Sequence, residues 1–378
     1  MDDARSAAAL CSPATLQPCC RVSGKSRCVL TAHTRNSIVN QPSLPPQMMK
    51  ALPRNRVSLP VCSNAISSPV ASFSTKATRA NQTFPLRDGR ILGYAEYGCP
   101  TGFPLLYLHG FPSSRLEASG LDALARRRGL RIISPDRPGY GLSTFQPNRC
   151  IMDWPGDVQS LVDHLCIPRF AVLGGSGGGP YSLACAHALP PERLSAVGIL
   201  AGAGPWEAGH VSAARRLISL AATHTPTALG VLIDGLVGVS RWAANTGPVA
   251  RWLDNWLEKQ ETAEKSDKST RERREEILGM LFEAFPQGSA ATVQEAVLLS
   301  HDWGFRLEDI TYNKVQIWHG EKDANAPIEM IRYMAARLPH CDLREFEGET
   351  HYTLSRHLEE IISELVPEKL LQQHSTTP

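Results

Sequence analysis

From residue 82 onward the chain alternates apolar runs of strand length with longer stretches whose apolar positions recur at helical spacing. "TFPLRDGRILGYAEYG" (83–98) reads as a hairpin turning through Asp88-Gly89, a favoured two-residue turn. Six further strand-like runs follow: "PLLYLH" (104–109), "LRIISP" (130–135), "FAVLGG" (170–175), "LSAVGILAG" (194–202), "VQIWHG" (315–320) and "CDLREFEG" (341–348). Between them, "SRLEASGLDALARRR", "MDWPGDVQSLVDHLC", "GGPYSLACAHAL" and "PIEMIRYMAARL" each carry a helical apolar stripe. Such alternation predicts an α/β fold: a mostly parallel eight-stranded sheet with helices on both faces.

One region breaks the rhythm. Residues 205–310 hold no convincing strand and several helix-like patterns, and are expected to form a helical cap over one end of the sheet. Within it, Glu261 and Lys265, Glu264 and Lys268, and Asp267 and Arg271 pair at the i,i+4 spacing of a solvated helix, which argues against a nucleic-acid site. Trp206, Trp242, Trp252, Trp256 and Trp303 are expected mainly in the core of this insert, some lining an apolar pocket. The longest apolar stretch, "LGVLIDGLVGV" (229–239), is broken by Asp234, so no membrane span is expected.

Composition changes the picture mainly at the N-terminus. The 378 residues are 42% hydrophobic and 20% charged, as in an ordinary soluble protein, and the net charge is +2. Yet no Asp or Glu occurs from Ala4 to Arg87, while Arg and Lys recur throughout. Residues 1–80, rich in Ser, Pro, Ala and Arg, are expected to be disordered and resemble an organellar transit peptide, although "MDD" is acidic and the segment is long. A start at Met48 or Met49 would give a more usual length. The expected location is intracellular, mitochondrial or otherwise cytoplasmic. The folded core is expected over 81–204 and 311–372. The cysteines show no CxxC spacing, which points to reduced thiols and no zinc site.

The chemistry centres on "VLGGSGGGPYSLACA" (172–186), a glycine-rich junction between a strand and a helix. No register supplies GxGxxG, and no Lys-Ser/Thr follows the glycines, so neither phosphate-binding pattern fits. G-x-S-x-G does fit, from Gly174 to Gly178, with Ser176 at its centre and Pro180 in the first helical turn. A serine hydroxyl becomes a nucleophile when a base takes its proton, and the base works best oriented by a carboxylate. Asp323, in "WHGEKDANAP", follows a late strand, and His351, in "FEGETHYTL", follows the last one. Of the other candidates, His319 and Glu321 belong to the turn leading to Asp323, His187 lies on a helix, and His109 belongs to "YLHGFPSS".

Taken in order, "HGFP", "PDRPGYGLS", "GGSGGG", "HGEKD" and "GETH" make residues 82 to about 370 similar to the α/β-hydrolase superfamily with a helical cap. The resemblance implies a Ser176, Asp323, His351 triad, with the N–H groups of Phe111 and Gly177 as oxyanion donors and His109 and Gly110 shaping their loop. It also implies that Asp136 and Arg137 are turn residues. An Asp nucleophile, as in haloalkane dehalogenases and epoxide hydrolases, is excluded by Ser176. A proline iminopeptidase would need acids in the cap, where Asp234 and Glu207 are the candidates. The expected activity is hydrolysis of a small apolar carboxylic ester or amide through an acyl-enzyme, with no metal or cofactor. Acyl transfer, C–C bond hydrolysis, iminopeptidase action and a non-catalytic binding module are the alternatives. The expected partner is a small molecule; the oligomeric state is left open.

Overall fold

The protein is described by a computed structural model that covers residues 79–259 and 269–375; the basic segment through residue 78 and the charge run 260–268 lie outside the described residues. β1 (Gln82–Pro85) and β2 (Ile91–Gly98) pair antiparallel, Phe84 opposite Leu92. Their connection is not a two-residue turn. It spans Leu86 to Arg90, closed by the Leu86 N–H on the Arg90 carbonyl at 2.8 Å. Pro85 has no N–H to continue the ladder, and Gly89 takes the left-handed φ of 87° that turns the chain.

Parallel strands follow: β3 (Phe103–Leu108), β4 (Leu130–Pro135), β5 (Phe170–Gly175), β6 (Leu194–Leu200), β7 (Val315–Gly320) and β8 (Cys341–Phe346), giving the sheet order β1-β2-β4-β3-β5-β6-β7-β8. Every residue of β3 and β5 is buried, whereas β1 alternates half-buried and exposed. That is the difference between a central strand covered on both faces and an edge strand. The order sets β5 beside β3, so the loops leaving their C-terminal ends are neighbours. β7 and β8 then bring their own loops to the same edge.

Helices cover both faces. α1 (Asp122–Arg127) lies on one face, where Leu121 and Leu124 pack with Leu105, Leu173 and Trp318. α2 (Trp154–His164) and α3 (Gly179–Ala188) lie on the other, where Trp154 and Leu183 pack with Leu106 and Val172. α3 carries no stripe: Gly179 through Ala186 are all buried, as in a helix enclosed on every side.

Between β6 and β7 the described residues form helices and no strand: α4 (Ala213–His224), α5 (Pro226–Ala244), α6 (Gly247–Lys259), α7 (Thr270–Phe282) and α8 (Ala290–Ser300). α9 (Ile328–Ala335), α10 (Leu358–Leu365) and α11 (Glu368–Ser375) complete the chain. Ser269 and Glu272 form a capping box at the start of α7, and Arg271 pairs forward with Glu275 at 2.9 Å. Two expectations are corrected here. Asp234 does not interrupt α5, a 19-residue helix with a mean hydropathy of 1.2, long and apolar enough by composition to cross a membrane. Trp242, Trp252 and Trp256 are 71%, 63% and 46% exposed rather than in the core, while Trp303 is buried. Cys99, Cys150, Cys166, Cys185 and Cys341 are free thiols.

Candidate active site

The site begins where β5 ends. Ser176 has φ of 49°, a left-handed conformation that costs a non-glycine residue roughly 1 kcal/mol or more. It opens a short 3-10 turn, Ser176–Gly178, that runs directly into α3. This turn needs a residue without a side chain at 178, because a Cβ there would lie 2.1 Å from the Leu108 carbonyl oxygen at the end of β3. The Ala203 N–H, at 2.9 Å from the Ser176 carbonyl, holds the turn from the β6 side.

Ser176, His351 and Asp323 are hydrogen-bonded in series. Ser176 Oγ lies 3.0 Å from His351 Nε2, and His351 Nδ1 lies 2.7 Å from Asp323 Oδ2. Asp323 is buried, and its other oxygen accepts the backbone N–H groups of Asn325 at 2.8 Å and Ala326 at 2.9 Å. Burial pushes its pKa up, but the hydrogen bonds from His351 and Ala326 outweigh that and hold the carboxyl below its ordinary value, so it stays ionised. His319 donates from Nε2 to the Ala326 carbonyl at 2.7 Å, closing the loop around Asp323. The Lys322 N–H bonds the Glu349 carbonyl at 2.9 Å, tying the loop after β7 to the loop that carries His351.

Phe111 and Gly177 also come together: a Cβ on Gly177 would lie 3.2 Å from the Phe111 nitrogen. Neither N–H is engaged in the turn, loop and cap hydrogen bonds of the described residues. The carbonyl of the same Gly110–Phe111 peptide is doubly held, by His109 Nδ1–H at 2.9 Å and by Arg137 Nη2–H at 2.7 Å. Two donors on the oxygen fix the peptide's direction and polarise its N–H. His109 Nε2 accepts the Arg137 backbone N–H at 3.1 Å. Burial, reinforced by the Arg137 charge, holds the His109 pKa well below its ordinary value, so the ring is neutral and can both donate and accept.

Arg137 therefore does more than turn the chain. Its guanidinium also meets Glu295 of α8 at 2.7 Å, and Glu295 meets Arg149 at 2.5 Å, all three side chains buried. Glu117 was likewise absent from the sequence reading; it accepts the Gly110 N–H at 2.9 Å and the Tyr107 hydroxyl at 2.6 Å, from beside the turn at Ser176. One signal for Glu295 exists: it is the sole charge in the apolar stretch "AATVQEAVLLS". Glu117 has none, since "SRLEASG" reads as surface. The acids considered for an amine lie elsewhere: Glu207 accepts the Tyr333 hydroxyl at 3.2 Å, and Asp234 is exposed. Among the described residues no group of three or more His, Cys, Asp or Glu could hold a metal ion.

Residues 105–364 match the model of the alpha/beta hydrolase family. The chain belongs to that family. Over 137 residues this alpha/beta hydrolase is 36% identical to the dihydrolipoyllysine-residue acetyltransferase component of the acetoin cleaving system of Pseudomonas putida, a stretch covering 34% of this chain and 36% of the relative. It is 34% identical over 115 residues to a proline iminopeptidase of Arabidopsis thaliana, covering 28% of each chain. The chain thus spans about a third of the length of these curated relatives. An esterase from Exiguobacterium antarcticum superposes with a TM-score of 0.52 at 18% identity, over 78% of this alpha/beta hydrolase and all of the esterase; at that identity the likeness is one of fold.

Proposed function

We propose that the protein is a serine hydrolase that cleaves a small apolar carboxylic ester through an acyl-enzyme, with α4–α8 as a cap over the site. The supporting observation is the series Ser176 Oγ, His351, Asp323 at 3.0 and 2.7 Å, starting from a strained turn. Ser176 Oγ attacks the ester carbonyl carbon as its proton passes to His351 Nε2, and ionised Asp323 stabilises the imidazolium. The carbonyl oxygen gains negative charge and meets the Phe111 and Gly177 N–H groups. The intermediate then expels the alcohol, which takes the proton from His351. Water, deprotonated by His351, attacks the acyl carbon and releases the acid and the free serine. An ester suits the site better than an aminoacyl substrate, because neither Asp234 nor Glu207 is hydrogen-bonded into it.

The test is intact-protein mass after exposure of the full chain to a fluorophosphonate, beside Ser176→Ala. One adduct per wild-type chain and none on the variant is the expected result. A well-folded wild type that takes up no label, or a variant labelled equally, would overturn the reading and favour a non-catalytic binding module.

A further inference from the structure

The helices between β6 and β7 leave a large apolar surface facing outward. On α5, Val231, Leu232, Leu236, Val239 and Trp242 are between 58 and 71% exposed, and their spacing puts them on one side of the helix. The inner side, with Leu229 and Ile233, packs against Ala222, Val293 and Ala296. α5 is thus apolar on both sides, and one of them has no cover among the described residues. Leu217 and Leu220 are exposed on α4, and Trp252 and Trp256 on α6, the two helices that flank α5 in the chain and pack against it. The three indoles alone leave roughly 300–450 Å² of ring in water, already about the largest apolar patch of an ordinary monomer.

We propose that this outer face of α4–α6 docks on an anionic lipid bilayer, lying in its interface without spanning it. Two features select that occupant. Tryptophan is the side chain suited to the headgroup boundary, with an apolar body and a donor N–H, and three stand on this surface. Arg216 adjoins Leu217 on α4 and Arg251 adjoins Trp252 on α6, neither with a carboxylate partner among the described residues; Asp254 of α6 is already paired with Arg274, and Arg241, stacked on Phe282, lies with Asp234 on the other flank of α5. A second copy of the chain would bring the same cations to the seam; an anionic headgroup layer neutralises them. The inner side of α5 and Phe111 pack against the same cluster of Ala222, Val293 and Ala296, so docking brings the candidate site near the source of apolar esters. The docking itself does not depend on the chemistry of Ser176.

The experiment is flotation of the full chain with phosphatidylcholine vesicles, with and without phosphatidylglycerol. Two folded variants run alongside, Leu232→Ser with Leu236→Ser and Trp242→Ser, and Arg216→Glu with Arg251→Glu. The wild type floats with the anionic vesicles. The apolar variant loses at least about tenfold in partitioning, since each large side chain taken from water is worth that much. The charge variant loses binding to the anionic vesicles alone. A wild type that does not float, or an apolar variant that loses less than about tenfold, overturns the proposal, the latter because the basic segment before residue 79 would then carry the binding. A wild type that is a dimer in solution, and that the apolar variant turns into monomer, also overturns it and gives the face to a second copy.

Discussion

Arg137 and Glu295 carry two separable consequences at the scale of single residues. Arg137→Lys keeps the charge but loses the planar fork that reaches the Gly110 carbonyl and Glu295 together. With the Gly110–Phe111 peptide free to rotate, turnover of an ester is expected to fall about 100-fold with KM little changed, as for a misplaced catalytic group. Steady-state kinetics on a wild-type-like fold check this, and an unchanged kcat would remove Arg137 from the machinery. Glu295→Gln leaves two buried guanidinium groups without a counter-charge and is expected to cost roughly 3–5 kcal/mol in urea unfolding. At this scale the sequence is uneven. Ser176, Asp323 and His351 stand at strand ends, where glycines and loop composition mark them, and the structure brings all three into hydrogen-bonding distance. Arg137, Glu117 and Glu295 form pairs across distant segments, and no local pattern records such a pair.

Elements were legible wherever burial alone decides them. β4, β5 and β7 keep the bounds read from their apolar runs, because nearly every position of these strands is buried. β6 and β8 stop two residues sooner, at Leu200 and Phe346, where Ala201 with φ of 47° and Gly348 with φ of 75° bend the chain into the site loops. Backbone geometry of that kind leaves no trace in hydrophobicity. The turn at Ser176 shows how closely two elements can constrain a third. Gly178→Ala must push α3 away from the end of β3, since 2.1 Å to the Leu108 carbonyl is far inside contact. A loss of about 1–3 kcal/mol is expected, with a thermal midpoint several degrees lower by scanning calorimetry. A midpoint equal to the wild type's would mean that the helix is not seated as described.

For the molecule as a whole, the net charge of +2 says little about its response to pH, because the groups that matter are buried. His109 and His319 are both enclosed, and burial lowers both pKa values from an ordinary 6.5. In the unfolded chain they take protons as the pH falls through that value; in the folded chain they do not. The unfolded state therefore binds more protons below pH 6.5, and stability falls with acidification at up to about 1.4 kcal/mol per pH unit for each histidine. Asp323 acts later. Its folded pKa lies below the ordinary 3.8, so the stability it contributes is present above that value and is lost only as the pH drops through its folded pKa. Asp136 works against the histidines: burial pushes its carboxyl up to about 6, so the folded chain takes that proton before the unfolded one does and regains part of the loss below about pH 6. Urea-unfolding free energies from about pH 7 to about pH 5 should fall less in His319→Gln than in the wild type, because the variant lacks one of the two titrating rings. A His319→Gln profile that falls as far as the wild type's would mean that the His319 imidazole takes its proton inside the fold, and its neutral state beside Asp323 would have to be given up.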